Sequence, residues 1–181
     1  MIKAAWFRRY AEGERPAEFD RIVQSWDTAN KASELSDFSV CTSWGIKGKD
    51  LYLLHVLRRR MEYPELVEQG LHAITRYQPQ SDKVRRMHAQ TAMIENGFVH
   101  LPKEAAWLAE YLHELTVFPK GKHDDQVDST AQMLDWFKRA GSGPTSNAGI
   151  WHLSKELAEQ ARTEPPKPAP LSTLLPILRQ W

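Results

Sequence analysis

Hydrophobic positions fall into short blocks early in the chain and into helical stripes later. Residues 1–20 set Pro16 among charges and predict a lead-in before the first strand. Arg21–Asp27 (RIVQSWD) is β-rich in its first half and closes on an acid. Phe38–Ile46 (FSVCTSWGI) alternates in part, and Gly45, Gly48 and the lysines between them predict a turn. Leu51–Leu57 (LYLLHVL) is a nearly continuous apolar run, as in a strand buried within a sheet. Three such segments joined by short turns predict an antiparallel meander opening a mixed sheet.

Beyond Arg58, Arg59 and Arg60 the period changes. Tyr63–Leu66 starts a helix, with Pro64 at a favourable early position and Gly70 as its stop. Leu71–Tyr77 reads as a strand. Asp82–Glu95 is helical: Val84, Met87, Ala92 and Met93 recur at helix spacing, Asp82 can cap, and Asn96-Gly97 ends it. Phe98–Leu101 is a short strand. Glu104–Phe118 is an amphipathic helix with Trp107, Leu108, Tyr111, Leu112 and Leu115 on one face. Asp124–Arg139 is the last core helix, with Val127, Ala131, Leu134 and Phe137 inward. A domain over 1–140 is therefore expected. Residues 141–181 shift to Gly, Ser, Pro and Asn and read as a flexible Pro-rich tail, with a short helix possible over Ile150–Arg162.

Composition narrows the class. A chain of 181 residues, 41% hydrophobic and 26% charged, can bury a core. No apolar stretch reaches membrane-spanning length and no signal-peptide core is present, so a cytoplasmic protein is expected. The formal net charge of +1 neither announces nor excludes a nucleic-acid substrate. The single cysteine, Cys41, rules out an internal disulfide and lies in an apolar strand-like run, which favours a packed thiol.

The local chemistry concentrates in Lys122-His123-Asp124-Asp125-Gln126-Val127-Asp128. Acids at a helix start cap it and complement its dipole, the plainer explanation. Their spacing permits more. Asp124 and Asp128 share one helix face, with Asp125 beside them at the mouth. Clustered carboxylates repel unless solvated or bridged by a cation, and hard cations such as Mg²⁺ take carboxylate oxygens. Asp27 is the second candidate, at the C-terminal end of the first strand. It is either a strand-ending turn residue or a ligand shared with the late helix.

The blocks IVQSWDTANKASELSDFSVCTSWG, DKVRRMHAQTAMIENGFVHLP and FPKGKHDDQVDSTAQMLDWF resemble, in that order, the RNase H-like nuclease domain of phage terminase large subunits. The resemblance implies an α/β fold, an RNase H-like mixed sheet flanked by helices. It implies a Mg²⁺- or Mn²⁺-dependent endodeoxyribonuclease cleaving concatemeric viral DNA at a two-metal site. Asp27 matches the first-strand acid, Asp125 the last-helix ligand and Asp124 its co-ligand. Asp128 joins the metal set or tunes it. His123 is a helper or a solvated loop residue, and Asp37 an outer acid or a turn residue. Lys83, Arg85 and Arg86 either touch DNA phosphates or form a solvated helix face. Double-stranded DNA, an ATPase domain, the small terminase subunit and the portal are the implied partners.

The chain departs from the family pattern in its middle. RRRMEYPELVEQGLHAI follows Leu57 directly, leaving about ten residues where a crossover to a parallel strand needs a dozen or more. One central strand and its helix are thus expected to be missing, together with the middle acid. Glu62, Glu65 and Glu68 close no apolar strand. GIKGKD lacks the spacing of a phosphate loop, so no ATPase motif accompanies the nuclease. The alternatives are another RNase H-like nuclease or resolvase, and a catalytically impaired prophage remnant or DNA- or portal-binding module.

Overall fold

A computed structural model describes residues 1–27, 38–59, 74–76, 82–140 and 148–152. Its strands are β1 (Arg8–Tyr10), β2 (Arg21–Asp27), β3 (Ser39–Lys47), β4 (Asp50–Arg59), β5 (Ile74–Arg76), β6 (Val99–Pro102) and β7 (Ala148–His152). Its helices are α1 (Lys83–Glu95), α2 (Leu108–Val117) and α3 (Asp125–Ala140). The sheet runs β1-β6-β4-β3-β2-β7-β5, with a three-residue strand at each edge. β3 is antiparallel to β2 and to β4, and the other pairings are parallel. The mixed α/β sheet with three helices agrees with the RNase H-like fold expected from the sequence.

The meander forms where the pattern placed it. β2 has the expected bounds. Gly48, at φ 59, makes the turn into β4, and its N–H donates to Asp20 Oδ2 at 2.7 Å. Gly45 is not part of that turn. It lies inside β3 because the Phe19 ring covers it, 2.6 Å from where a Cβ would stand. Val40, Trp44 and Ile46 of β3 join Val23, Leu51 and Leu53 in one core with Val127, Ala131 and Leu134 of α3. Cys41 is buried, and burial pushes its thiol well above the usual range, as expected of a packing residue.

β4 carries an irregularity that matters below. Ser43 pairs with His55 but Trp44 with Leu53, so Leu54 is an extra residue, a β-bulge. Before it, Leu51 and Leu53 face the core. After it, Val56 and Arg58 stand opposite Thr42 and Val40, which face α3. An unbroken alternation from Leu51 would have sent Arg58 to the other side.

α1 starts as expected: Asp82 Oδ1 accepts from Arg85 N at 2.9 Å. It stops at Gly97, at φ 76. α2 begins later than Glu104, because Ala105 and Trp107 stand in a turn whose 3.1 Å bond links Leu108 N to Ala105 O.

Two expectations are corrected. The lead-in over residues 1–20 holds β1, which pairs with β6 and is too short to show a period of its own. Residues 150–152, read as tail with a short helix possible, belong to β7, which lies between β2 and β5. The exposed hydrogen-bonding edge of β2 outweighs local helix preference there. The predicted helix over Tyr63–Gly70 and the rest of 141–181 lie outside the described residues. No helix among the described residues is long and apolar enough to cross a membrane.

Candidate metal centre

The site forms where the end of β2 meets the start of α3. Strand alternation puts Val23, Ser25 and Asp27 on the face toward the helix. Ser25 Oγ donates to Ser129 O at 2.7 Å, and Ser129 Oγ donates to Ser25 O at 2.7 Å. Gln132 Nε2 donates to Trp26 O at 3.3 Å. These buried bonds fix α3 against β2 without a charged group. They leave Asp27 and Asp125 at the open end of the same contact.

Asp125 is the perturbed group. Its carboxyl is raised from the ordinary 3.8 to about 6, first by burial and then by the nearby charges of Asp27, Glu114 and Asp124. Arg58 opposes this, its Nη2 lying 3.9 Å from Asp125 Oδ2. Asp125 and Asp27 are thus close enough to repel, although they lie at opposite ends of the described core in sequence.

The neighbouring acids have other partners. Asp128 is buried, with Oδ1 2.5 Å from Arg86 Nη2 and Oδ2 2.6 Å from Lys83 Nζ. Asp124 accepts from Lys83 Nζ at 3.0 Å. Burial draws the Lys83 ammonium down, but Asp128 and Asp124 outweigh it and hold it above its ordinary range. Arg86 is buried, and it and Lys83, two of the three basic residues expected at DNA phosphates or on a solvated face, tie α1 to α3. The Arg85 side chain is 80% exposed and faces Asp82 at 3.8 Å. His123 is exposed, its ring edge-on to Phe38 at 6.4 Å. Asp37, Glu62, Glu65 and Glu68 lie outside the described residues.

Two site residues escaped the sequence reading. Glu114 of α2 is buried and accepts from Gln126 N at 2.7 Å, Val127 N at 3.3 Å and Gln126 Nε2 at 2.7 Å. It satisfies the first N–H groups of α3, a capping role that had been assigned to the aspartates themselves. Its position between Tyr111 and Leu115 on an apolar stripe was the available signal. The other is Arg58, whose placement depends on the bulge.

Hard cations bind carboxylate oxygens, and Mg²⁺ accepts one or two carboxylates with water and substrate phosphate completing the shell. The Asp27–Asp125 pair suits one such ion, because a cation would relieve their repulsion. Among the described residues no group of three or more His, Cys, Asp or Glu side chains converges to hold a metal ion. The larger acid set of a two-metal site is thus not assembled among the described residues.

Residues 67–136 match the family model of the terminase RNaseH-like domain. The resemblance read from the sequence is borne out over that span, which includes α1, α2 and the helix start bearing Asp124, Asp125 and Asp128. β2 and Asp27 lie outside the matched residues, so their place in the site rests on the geometry. No curated protein and no solved structure matches the chain.

Proposed function

We propose that this chain, whose residues 67–136 match the terminase RNaseH-like domain, is the nuclease part of a phage DNA-packaging terminase large subunit. The observation that carries the reading is the Asp125 carboxyl, raised to about 6 by burial and by Asp27 across the β2–α3 contact. Two carboxylates forced together at a strand end are costly unless a cation joins them, and perturbed acids of this kind mark functional sites.

In this reading Asp27 and Asp125 hold a Mg²⁺ or Mn²⁺ ion, with Asp124 at its margin. Bound there, the ion would supply a polarised water and offset charge on the phosphodiester. Asp27 and Asp125 fix its position, and the capped start of α3 keeps Asp125 from swinging away. Asp128 serves as the anchor of Lys83 and Arg86 and stands outside the ligand pair. Hydrolysis adds the water oxygen to phosphorus and breaks a phosphorus–oxygen bond to the sugar. Double-stranded DNA is the substrate. An ATPase domain, a small subunit and a portal would be the assembly partners, in the cytoplasm of the host cell.

A second reading, a remnant that binds without cutting, is favoured by the want of a third acid among the described residues. Nicking of supercoiled plasmid by the purified chain separates the two. Mn²⁺-dependent nicking that disappears in both Asp27→Ala and Asp125→Ala supports the nuclease. A folded chain that nicks with no divalent metal tested supports the remnant.

A further inference from the structure

Arg58 brings a cation to 3.9 Å from Asp125 of the proposed ligand pair, and the strand register puts it there. The extra residue Leu54 in β4 reverses the alternation, so that Arg58 emerges opposite Val40 on the α3 side. Bulges commonly re-aim a side chain beside a functional site. The guanidinium then lies over the Phe38 ring, 4.2 Å from its centroid. Nη1 donates to Glu110 of α2, and Nη2 stands 3.9 Å from Asp125 Oδ2. The Arg58 side chain is only 15% exposed. Its Nε and Nη2 are buried and make no hydrogen bond among the described residues.

A buried guanidinium ordinarily satisfies its N–H groups, since each one left unpaired carries a desolvation cost. Here the group is attracted to Asp125 but not bonded to it. It partly offsets the charge of the acid at a distance too long for a hydrogen bond but within reach of a Coulomb interaction. Such a contact is readily exchanged. Glu110, by contrast, is 58% exposed and can keep the other arm of the fork in any arrangement.

We propose that Arg58 is a positioning residue, a built-in counter-cation aimed at Asp125 by the bulge in β4, which yields that carboxylate to a divalent ion. The inference rests on the reading of Asp27 and Asp125 as the metal ligands. In the metal-free chain Arg58 offsets the charge of Asp125 and holds the start of α3 in place. When an ion arrives, guanidinium and metal compete for one carboxylate, because two cations so close repel. Arg58 thereby sets how tightly the site holds its ion. It shifts toward Glu110, and its unpaired N–H groups become available to the substrate phosphate.

The test is Mn²⁺ affinity, by calorimetry on the full chain, for wild type, Arg58→Gln and Arg58→Lys. Arg58→Gln should bind Mn²⁺ about fivefold to tenfold tighter, since a charge beside the ligand is gone. Arg58→Lys keeps the charge but loses the planar fork that spans Glu110 and Asp125, and should tighten binding about twofold. A purely structural role predicts the opposite sign, because a loosened site binds metal more weakly. Unchanged or weaker binding in the Gln variant overturns the proposal while leaving the metal site standing. Should Arg58→Gln fail to fold, the Lys variant decides by the same sign. If wild type binds no Mn²⁺, and Asp125→Asn looks the same, the metal reading itself has failed and this one with it.

Discussion

Asp125 and Asp128 sit three residues apart in the first turn of α3, yet they face opposite electrostatic surroundings. Asp125 looks toward β2 and β4, where burial first, and then the charges of Asp27 and of Glu114 from α2, raise its carboxyl to about 6 and Arg58 only partly compensates. Asp128 looks toward α1, where Arg86 and Lys83 hold both its oxygens. On the side of Asp125 the surroundings disfavour the charged carboxyl. The side of Asp128 has already been neutralised from within the protein. Residue type therefore does not define the site: the balance of charge around each carboxylate decides whether it can bind something new or holds the fold together.

The comparison breaks most sharply on stability. Asp128→Ala should cost about 3–5 kcal/mol, because it removes one partner of the buried Arg86–Asp128 pair. Asp125→Ala should leave stability level or raise it, since an unfavourable charge is removed. Urea denaturation of the two variants measures the difference, and equal losses would erase the distinction between the faces.

A smaller effect should appear in pH dependence. The folded carboxyl of Asp125 titrates at about 6 against an ordinary 3.8, so the unfolded chain releases this proton first as pH rises. Stability should therefore fall between about pH 4 and 6, by clearly less than the roughly 3 kcal/mol that 1.36 kcal/mol per unit would give, because solvent screens the partly exposed carboxyl. The penalty is complete above that window and relieved below it. Asp125→Asn should flatten the window in melts taken across it. A wild-type slope surviving in that variant would place the titration on another group.

The smallest change concerns Lys83, whose side chain is 48% exposed. Lys83→Ala removes pairs to Asp124 and Asp128 but leaves Arg86 in place, and should cost no more than about 1 kcal/mol, shrinking further in salt. A loss as large as that of Asp128→Ala would mean that Lys83, and not Arg86, is the main counter-charge on the α1 side.

Much of the core was legible because its signals are local. β2 closes on Asp27 as the apolar block RIVQSWD suggested, and Asp82 caps α1 as its position before a helical stripe implied. The acid cluster of α3 was equally visible. Its division of labour was not, because that depends on which side chains of α1, α2 and β4 arrive around it. Lys83 and Arg86 at a helix start read equally as DNA contacts or as a solvated face. Their carboxylate partner lies about forty residues away, beyond the reach of any local pattern. β7 was read as tail because a five-residue strand in a Gly- and Pro-rich region has no period to recognise.

The sequence by itself determined most of the core elements and the acids at their ends, since hydrophobic period and capping chemistry act over a few residues. Tertiary structure alone decided that Leu54 bulges and turns Arg58 toward Asp125, that Glu114 caps α3 from another helix, and that a late strand covers the flank of β2. Those outcomes depend on strand register and on charges meeting through space. They are settled only when distant segments pack, because burial then makes every unpaired charge and unpaired strand edge expensive.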